Sequence, residues 1–222
     1  MSRSPGHPPS PASLAWMKAV AFATSLAPLV SLAWRFVRDD LGANPIEHVT
    51  RALGWWTLAF LVITLAVTPL RRLARMPWLL RFRRMLGLFA FSYASLHLLS
   101  YLWWDQFFDW AAIVRDLYKR PFITAGFGAW LCMVPLAMTS TNAMIRRLGA
   151  SRWRRLHRLV YLVAALGTLH FLWLVKKDVT EPVLYAACFA ALLAARVVFW
   201  WQDRSVSSAR TSAPRGQTRS AS

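Results

Sequence analysis

From Met85 to Trp104 the chain runs for 20 residues with no acidic side chain and no Lys or Arg, its one titratable base being His97. A run of this kind has no polar face to turn towards water, and a helix needs about 20 mostly apolar residues to cross a bilayer. The run has company. Apolar blocks fall near 19–37, 54–70, 85–104, 121–138, 156–175 and 182–201, each long enough to span where roughly 17 residues suffice. In hydrocarbon such a segment must satisfy its own backbone polar groups, which a helix does. The sequence therefore predicts an all-α polytopic membrane bundle of six transmembrane helices. Composition agrees, with 57% hydrophobic and 16% charged residues against about 45–50% and 25% in soluble domains.

A net charge of +18 raises the question of nucleic acid, and its distribution argues against that. Arg71, Arg72, Arg75, Arg81, Arg83 and Arg84 lie in one short connection; Arg146, Arg147, Arg152, Arg154, Arg155 and Arg158 lie in another. Neither stretch contains an acid. Eight of the nine acidic residues, including Asp39, Glu47, Asp105, Asp109, Asp116 and Asp178, fall in the alternate connections. Lys/Arg excess in short loops marks the cytoplasmic side, so both termini are expected in the cytoplasm. The charge is a topology signal with some affinity for anionic membrane lipid. The pairs Trp55–Trp56, Trp103–Trp104 and Trp200–Trp201 are placed at span ends, where such rings prefer the headgroup level. Pro182 fits the first turn of the sixth helix.

Residues 1–15, rich in Pro and Ser, read as a disordered leader, 16–202 as the membrane domain, and 203–222 as a disordered basic tail. The first block lacks a small-residue cleavage site and is read as an uncleaved span. Cys132 and Cys188 lie within spans and read as small buried residues. No internal repeat, Gly-rich phosphate loop or nucleophile motif stands out.

The histidines carry the chemistry. An intramembrane ionisable residue is a functional candidate by default, and histidine is a common axial ligand of haem iron. His97 on the third span and His170 on the fifth reach a similar depth on helices running in the same direction, as one haem held from both faces requires. The other reading is a pair of buried histidines hydrogen-bonded to backbone or to each other. His157 lies 13 residues before His170, about 19.5 Å along a helix, which suits a second haem. The two side chains would then point roughly 140° apart on an ideal helix, a mismatch that a distortion near Gly167 could absorb; an interfacial histidine among arginines is the alternative. Arg83 lies 14 residues before His97, where a fourth histidine would stand. Pairing with a haem propionate is an easier role for it than iron ligation, because arginine resists deprotonation. Arg84 and Arg196 could serve likewise or snorkel to the interface. His48 reads as a solvated loop residue, and His7 belongs to the leader.

Several stretches together resemble one family: LGANPIEHVTRALGWW, TPLRR, RRMLGLFAFSYASLHLLSYLWWD, KRPFITAGF and AMTSTNAMIRRLGASRWRRLHRLVYLVAALGTLHFLW. Over roughly residues 15 to 200 the chain resembles the MsrQ (YedZ) haem-binding membrane subunits of the ferric-reductase-like transmembrane superfamily. The resemblance implies b-type haem, with His97 and His170 holding one group and His157 serving a second. It also implies FMN, for which no motif here marks a site. It further implies a bacterial inner-membrane protein that passes electrons to MsrP, a periplasmic molybdopterin enzyme reducing methionine sulfoxide. On this view the chain is an electron-transfer subunit, not the catalytic one.

Relatives in the superfamily usually carry two histidines on each of two helices and an appended flavin–nicotinamide domain. Arg83 and the short tail depart from both features, so electrons are expected from membrane quinol or a separate cytosolic flavin reductase. The outer-loop aspartates Asp105, Asp109 and Asp116 are the expected docking surface for the acceptor. A direct ferric or quinone reductase, and a non-redox transporter or assembly factor with structural histidines, remain the competing readings.

Overall fold

The computed structural model describes residues 9–212 and is helical throughout, with no strand among them. The elements are α1 (Pro11–Val37), α2 (Pro45–Leu73), α3 (Leu80–Ser100), α4 (Trp110–Lys119), α5 (Pro121–Met138), α6 (Asn142–Leu148), α7 (Ala150–Leu156), α8 (Leu159–Leu174) and α9 (Thr180–Ser212). A 3₁₀ turn, Pro77–Leu79, leads into α3, and a π-helical turn, Tyr101–Asp105, follows it. Six stretches are long and apolar enough to cross a membrane: Pro11–Val37, Pro45–Leu73, Pro77–Asp105, Pro121–Met138, Ala150–Leu174 and Thr180–Ser205. They match the six apolar blocks one for one.

Local chemistry sets where the helices begin. Proline opens α1, α2 and α5, at a position whose N–H has no intrahelical partner. Before α2, the Asn44 side chain accepts from the Glu47 N–H at 3.2 Å and donates to the Glu47 carboxylate at 3.0 Å, a reciprocal cap. This cap starts α2 nine residues before the apolar block, so Trp55 and Trp56 sit well inside the helix and not at its end. The outer boundaries also differ from expectation. Ser10 caps α1, which includes Pro11 to Ala15 of the expected leader, and α9 continues past Asp203 into the expected tail. Residues 1–8 and 213–222, where the rest of those two segments falls, lie outside the described residues.

α2 packs most extensively on α3, and α5 on α8, with α3 also meeting α5. These four helices enclose a core that includes Leu53, Leu61, Leu65, Ala90, Val163 and Ala164. α9 closes against α2 and α8, while α1 leans loosely on α2 and α3. Large apolar side chains such as Val30, Leu131 and Leu184 stay exposed on the outer faces, as lipid-facing positions should.

The two arginine-rich connections come together at one end. The Arg84 guanidinium donates to the Asn142 side chain at 3.1 Å across them. Asp203, the one acidic residue not in the alternate connections, pairs with Arg72 at this end. The start of α1 reaches the same end, where Lys18 lies near Arg81 and Arg84.

Candidate functional site

His97 of α3 and His170 of α8 meet in the centre of the four-helix core, towards the end opposite the arginines. Their ring centres are 6.0 Å apart and their planes are inclined by 78°. Each ring leans on the helix beside its own. His97 Nδ1 lies 2.8 Å from the Thr50 carbonyl of α2, and His170 Nδ1 lies 2.6 Å from the Phe122 carbonyl of α5. A carbonyl only accepts, so each Nδ1 carries the proton and each Nε2 is left with a lone pair. This is how protein backbones commonly fix a metal-binding imidazole.

Two glycines make the arrangement possible. A Cβ on Gly126 of α5 would stand 2.7 Å from His170 Nδ1, and one on Gly54 of α2 would stand 3.1 Å from His97 Cε1. No methyl group fits at the first position, and the second is tighter than ordinary contact. Each ring therefore lies in a notch cut into the neighbouring helix.

His157 occupies a different setting. It terminates α7, and the chain passes through a 3₁₀-like turn before α8 begins: Arg158 N–H donates to Arg155 and Tyr161 N–H to Arg158. The distortion that separates His157 from His170 thus sits at His157 itself, not at Gly167, which receives the Leu58 side chain. The His157 ring stacks on Trp153 with centres 3.9 Å apart. Its Nε2 is 3.2 Å from Thr139 Oγ1. That hydroxyl already donates to the Pro135 carbonyl at 2.6 Å, so His157 Nε2 donates to it and offers no lone pair there.

Around His157 the helix ends on the arginine-rich side gather cations. Arg83 lies near His157, Arg196, Arg71 and Tyr161. Arg196 turns inward, donating to Tyr161 at 2.5 Å and to the Leu65 carbonyl at 2.8 Å. Three buried polar atoms lack partners among the described residues: Arg71 Nε, Arg196 Nε and Thr68 Oγ1. Arg84 points elsewhere, towards Asn142.

At the opposite end the three outer aspartates divide. Asp109 caps α4 through the Ala112 N–H at 3.1 Å. Asp116 is held by Arg120, the Tyr101 hydroxyl and Gln106. These two stabilise their own loop. His48 sits in the first turn of α2, with Nε2 3.4 Å from Arg35 of α1; it is an interhelical contact and not a loop residue. His7 lies outside the described residues.

Among the described residues no group of three or more His, Cys, Asp or Glu side chains is placed to hold a metal ion. The His97–His170 pair offers two imidazole nitrogens with free lone pairs, the number needed by a metal whose other positions are filled by a macrocycle. Residues 53–168 match the family described as ferric reductase like transmembrane component. The chain is 52% identical over 203 residues to a relative from Herminiimonas arsenicoxydans, covering 90% of this chain and 93% of the relative. It is 56% identical over 191 residues to one from Azospira oryzae, covering 86% and 82%. It is 56% identical over 177 residues to one from Rhodospirillum rubrum, covering 80% and 85%. Each relative is named protein-methionine-sulfoxide reductase heme-binding subunit MsrQ.

The chain belongs to the MsrQ family. Within that family's sequence pattern, His97 and His170 stand out as polar groups in apolar runs. Gly54 and Gly126 do not, because a glycine in a membrane helix shows its purpose only when the ring opposite is known. Thr139, Trp153 and Tyr161 do not stand out either, because Thr139 Oγ1 and the Tyr161 hydroxyl find their side-chain partners on other elements.

Proposed function

We propose that this chain is the haem-binding membrane electron-transfer subunit of a methionine-sulfoxide reductase system. The observation that carries the proposal is the pair of pinned imidazoles. Their ring centres lie 6.0 Å apart, and His97 and His170 would together hold one haem iron, for which histidine is a common ligand. Both Nε2 atoms are unprotonated, and the glycine notches keep the rings from being pushed together. The residues fit a b-type haem, which when bound supplies a one-electron carrier.

The chain's own contribution is positioning and tuning. Thr50 and Phe122 carbonyls fix both tautomers and raise the basicity of the ligating nitrogens. The apolar core around the pair excludes water. The acidic end of the bundle lies nearest the site, so an acceptor meets the electron there. We assign that acceptor to the periplasmic molybdopterin subunit MsrP, and the membrane to the bacterial inner membrane. The donor is quinol or a cytosolic flavin reductase acting at the arginine-rich end.

The inner cluster of Arg83, Arg71 and Arg196 beside His157 takes the anionic end of a second cofactor, either the propionates of a second haem or the phosphate of FMN. Buried guanidinium groups without a facing carboxylate fit such a group, and the unpartnered Nε atoms of Arg71 and Arg196 supply donors. His157 borders this cluster in its present tautomer; it would ligate iron only after leaving Thr139.

Absorbance spectra of the purified protein, oxidised and reduced, test the whole reading together with flavin content by fluorescence after denaturation. His97→Ala or His170→Ala should abolish the sharp reduced bands. His157→Ala and Arg83→Gln should leave those bands and lower the content of flavin or of a second haem. Wild-type protein with no haem bands after reconstitution would return the non-redox transporter reading. Reduction of chelated iron without a protein partner would favour the ferric reductase reading.

A further inference from the structure

A groove of about 540 Å³ runs between α1 and α3 on the outside of the bundle, away from both histidine sites. Its chemistry changes along its length. At the arginine-rich end it is lined by Lys18, Arg81 and Arg84, and no carboxylate pairs with any of the three among the described residues. Further along, the walls are apolar, as at Phe22, Leu26 and Leu88. The polar atoms on its floor are already satisfied. The Tyr93 hydroxyl donates to the Ser25 carbonyl at 2.9 Å and accepts from the Leu29 N–H at 3.2 Å, and Ser92 Oγ donates to the Leu88 carbonyl at 3.0 Å. The apolar stretch from Lys18 to Leu29 covers about 16 Å of helix, close to the roughly 15 Å depth of one leaflet of a 30 Å hydrocarbon core.

We propose that this groove is a binding site for an anionic phospholipid, with one acyl chain lying between α1 and α3 and the phosphate against Lys18, Arg81 and Arg84. Three cations at a leaflet's depth above an apolar trough match a molecule with a negative head and one long tail. Basic pockets between membrane helices bind anionic headgroups in this way. An uncharged quinone would give the cations nothing to neutralise. The bound lipid would fill the gap left by the sparse direct packing of α1 on the bundle.

The test uses the full chain exchanged into nanodiscs holding equal amounts of phosphatidylglycerol and phosphatidylcholine, then released for native mass spectrometry. The wild type should retain phosphatidylglycerol in preference to phosphatidylcholine. The double variant K18Q/R81Q should lose that preference by about thirtyfold, the scale of two basic side chains at a lipid surface. Ser92→Trp keeps the cations and fills the trough, and it should lose the retained lipid as well. Equal retention of both lipids by the wild type overturns the proposal, as does a preference unchanged in K18Q/R81Q. Phosphatidylglycerol retained by S92W shows headgroup adsorption alone and overturns the acyl groove. A retained quinone in place of phospholipid overturns the assignment of the occupant. Elution as a single species by gel filtration shows that each variant is folded, and if K18Q/R81Q does not fold, S92W decides alone.

Discussion

A hydrogen atom is all that Gly126 presents to the His170 ring. The ring cannot move aside to admit more, because its Nδ1 is bound to the Phe122 carbonyl at 2.6 Å. Gly126→Ala places a methyl 2.7 Å from that nitrogen, so either the hydrogen bond breaks or the helices part. Overpacking of this kind costs about 1–3 kcal/mol, and tilting the ring also misdirects Nε2. We expect G126A to lower haem occupancy by about tenfold, the equivalent of about 1.4 kcal/mol, with a shifted reduced band in whatever haem remains. Gly128 provides the control on the same helix, since its added Cβ would meet only Leu166 Cδ1 at an ordinary 3.7 Å. G128A should keep the wild-type spectrum and haem content. Equal spectra for the two variants would show that the notch at Gly126 has no bearing on the ligand.

At the scale of the element, α1 depends on a residue that belongs to another helix. Pro28 removes one backbone donor from its interior, and Tyr93 of α3 inserts its hydroxyl beside that point, bridging Ser25 and Leu29. The ring is 2% exposed, so no water replaces the bond. Tyr93→Phe keeps the shape and removes the hydroxyl. We expect it to cost about 1–3 kcal/mol, the range for a buried polar group left unpaired, seen as a lower midpoint of thermal unfolding in detergent with an unaltered haem spectrum. An unchanged midpoint would show that α1 closes its own ladder there. Such a contact is invisible in the chain, because it joins residues 64 and 68 positions apart. What the sequence does reveal is local. The α5 span is legible to the residue because Pro121 begins it and the apolar run ends where it ends. α2 is not, because its Asn44–Glu47 cap lies outside the apolar block. The break at His157 has no Pro or Gly to announce it, so the 140° mismatch was visible while its place was not. The histidine pair is readable from its place in two apolar runs, and its glycine notches need the partner helices.

For the whole molecule the open matter is which way the bundle faces. An even number of spans brings the start of α1 and Asp203 of α9 to one end, the end where both arginine clusters meet through Arg84 and Asn142. Those clusters lie in short connections, where Lys and Arg orient a helical protein most strongly, while the acids at the other end contribute little. The arginine-rich end should therefore face the cytoplasm. The histidine pair then lies nearer the periplasmic side, which is the requirement for delivering electrons to a periplasmic acceptor. Alkaline phosphatase, active only outside the cytoplasm, reports this directly when fused within the connections of the bundle. Fusions after Gly42 and after Asp178, at the acidic end, should be active; fusions after Arg75 and Gly149, at the arginine-rich end, should be inactive. The reverse pattern would place the histidine pair on the cytoplasmic side and remove the route to a periplasmic partner, leaving the haem geometry intact but its proposed direction of transfer wrong.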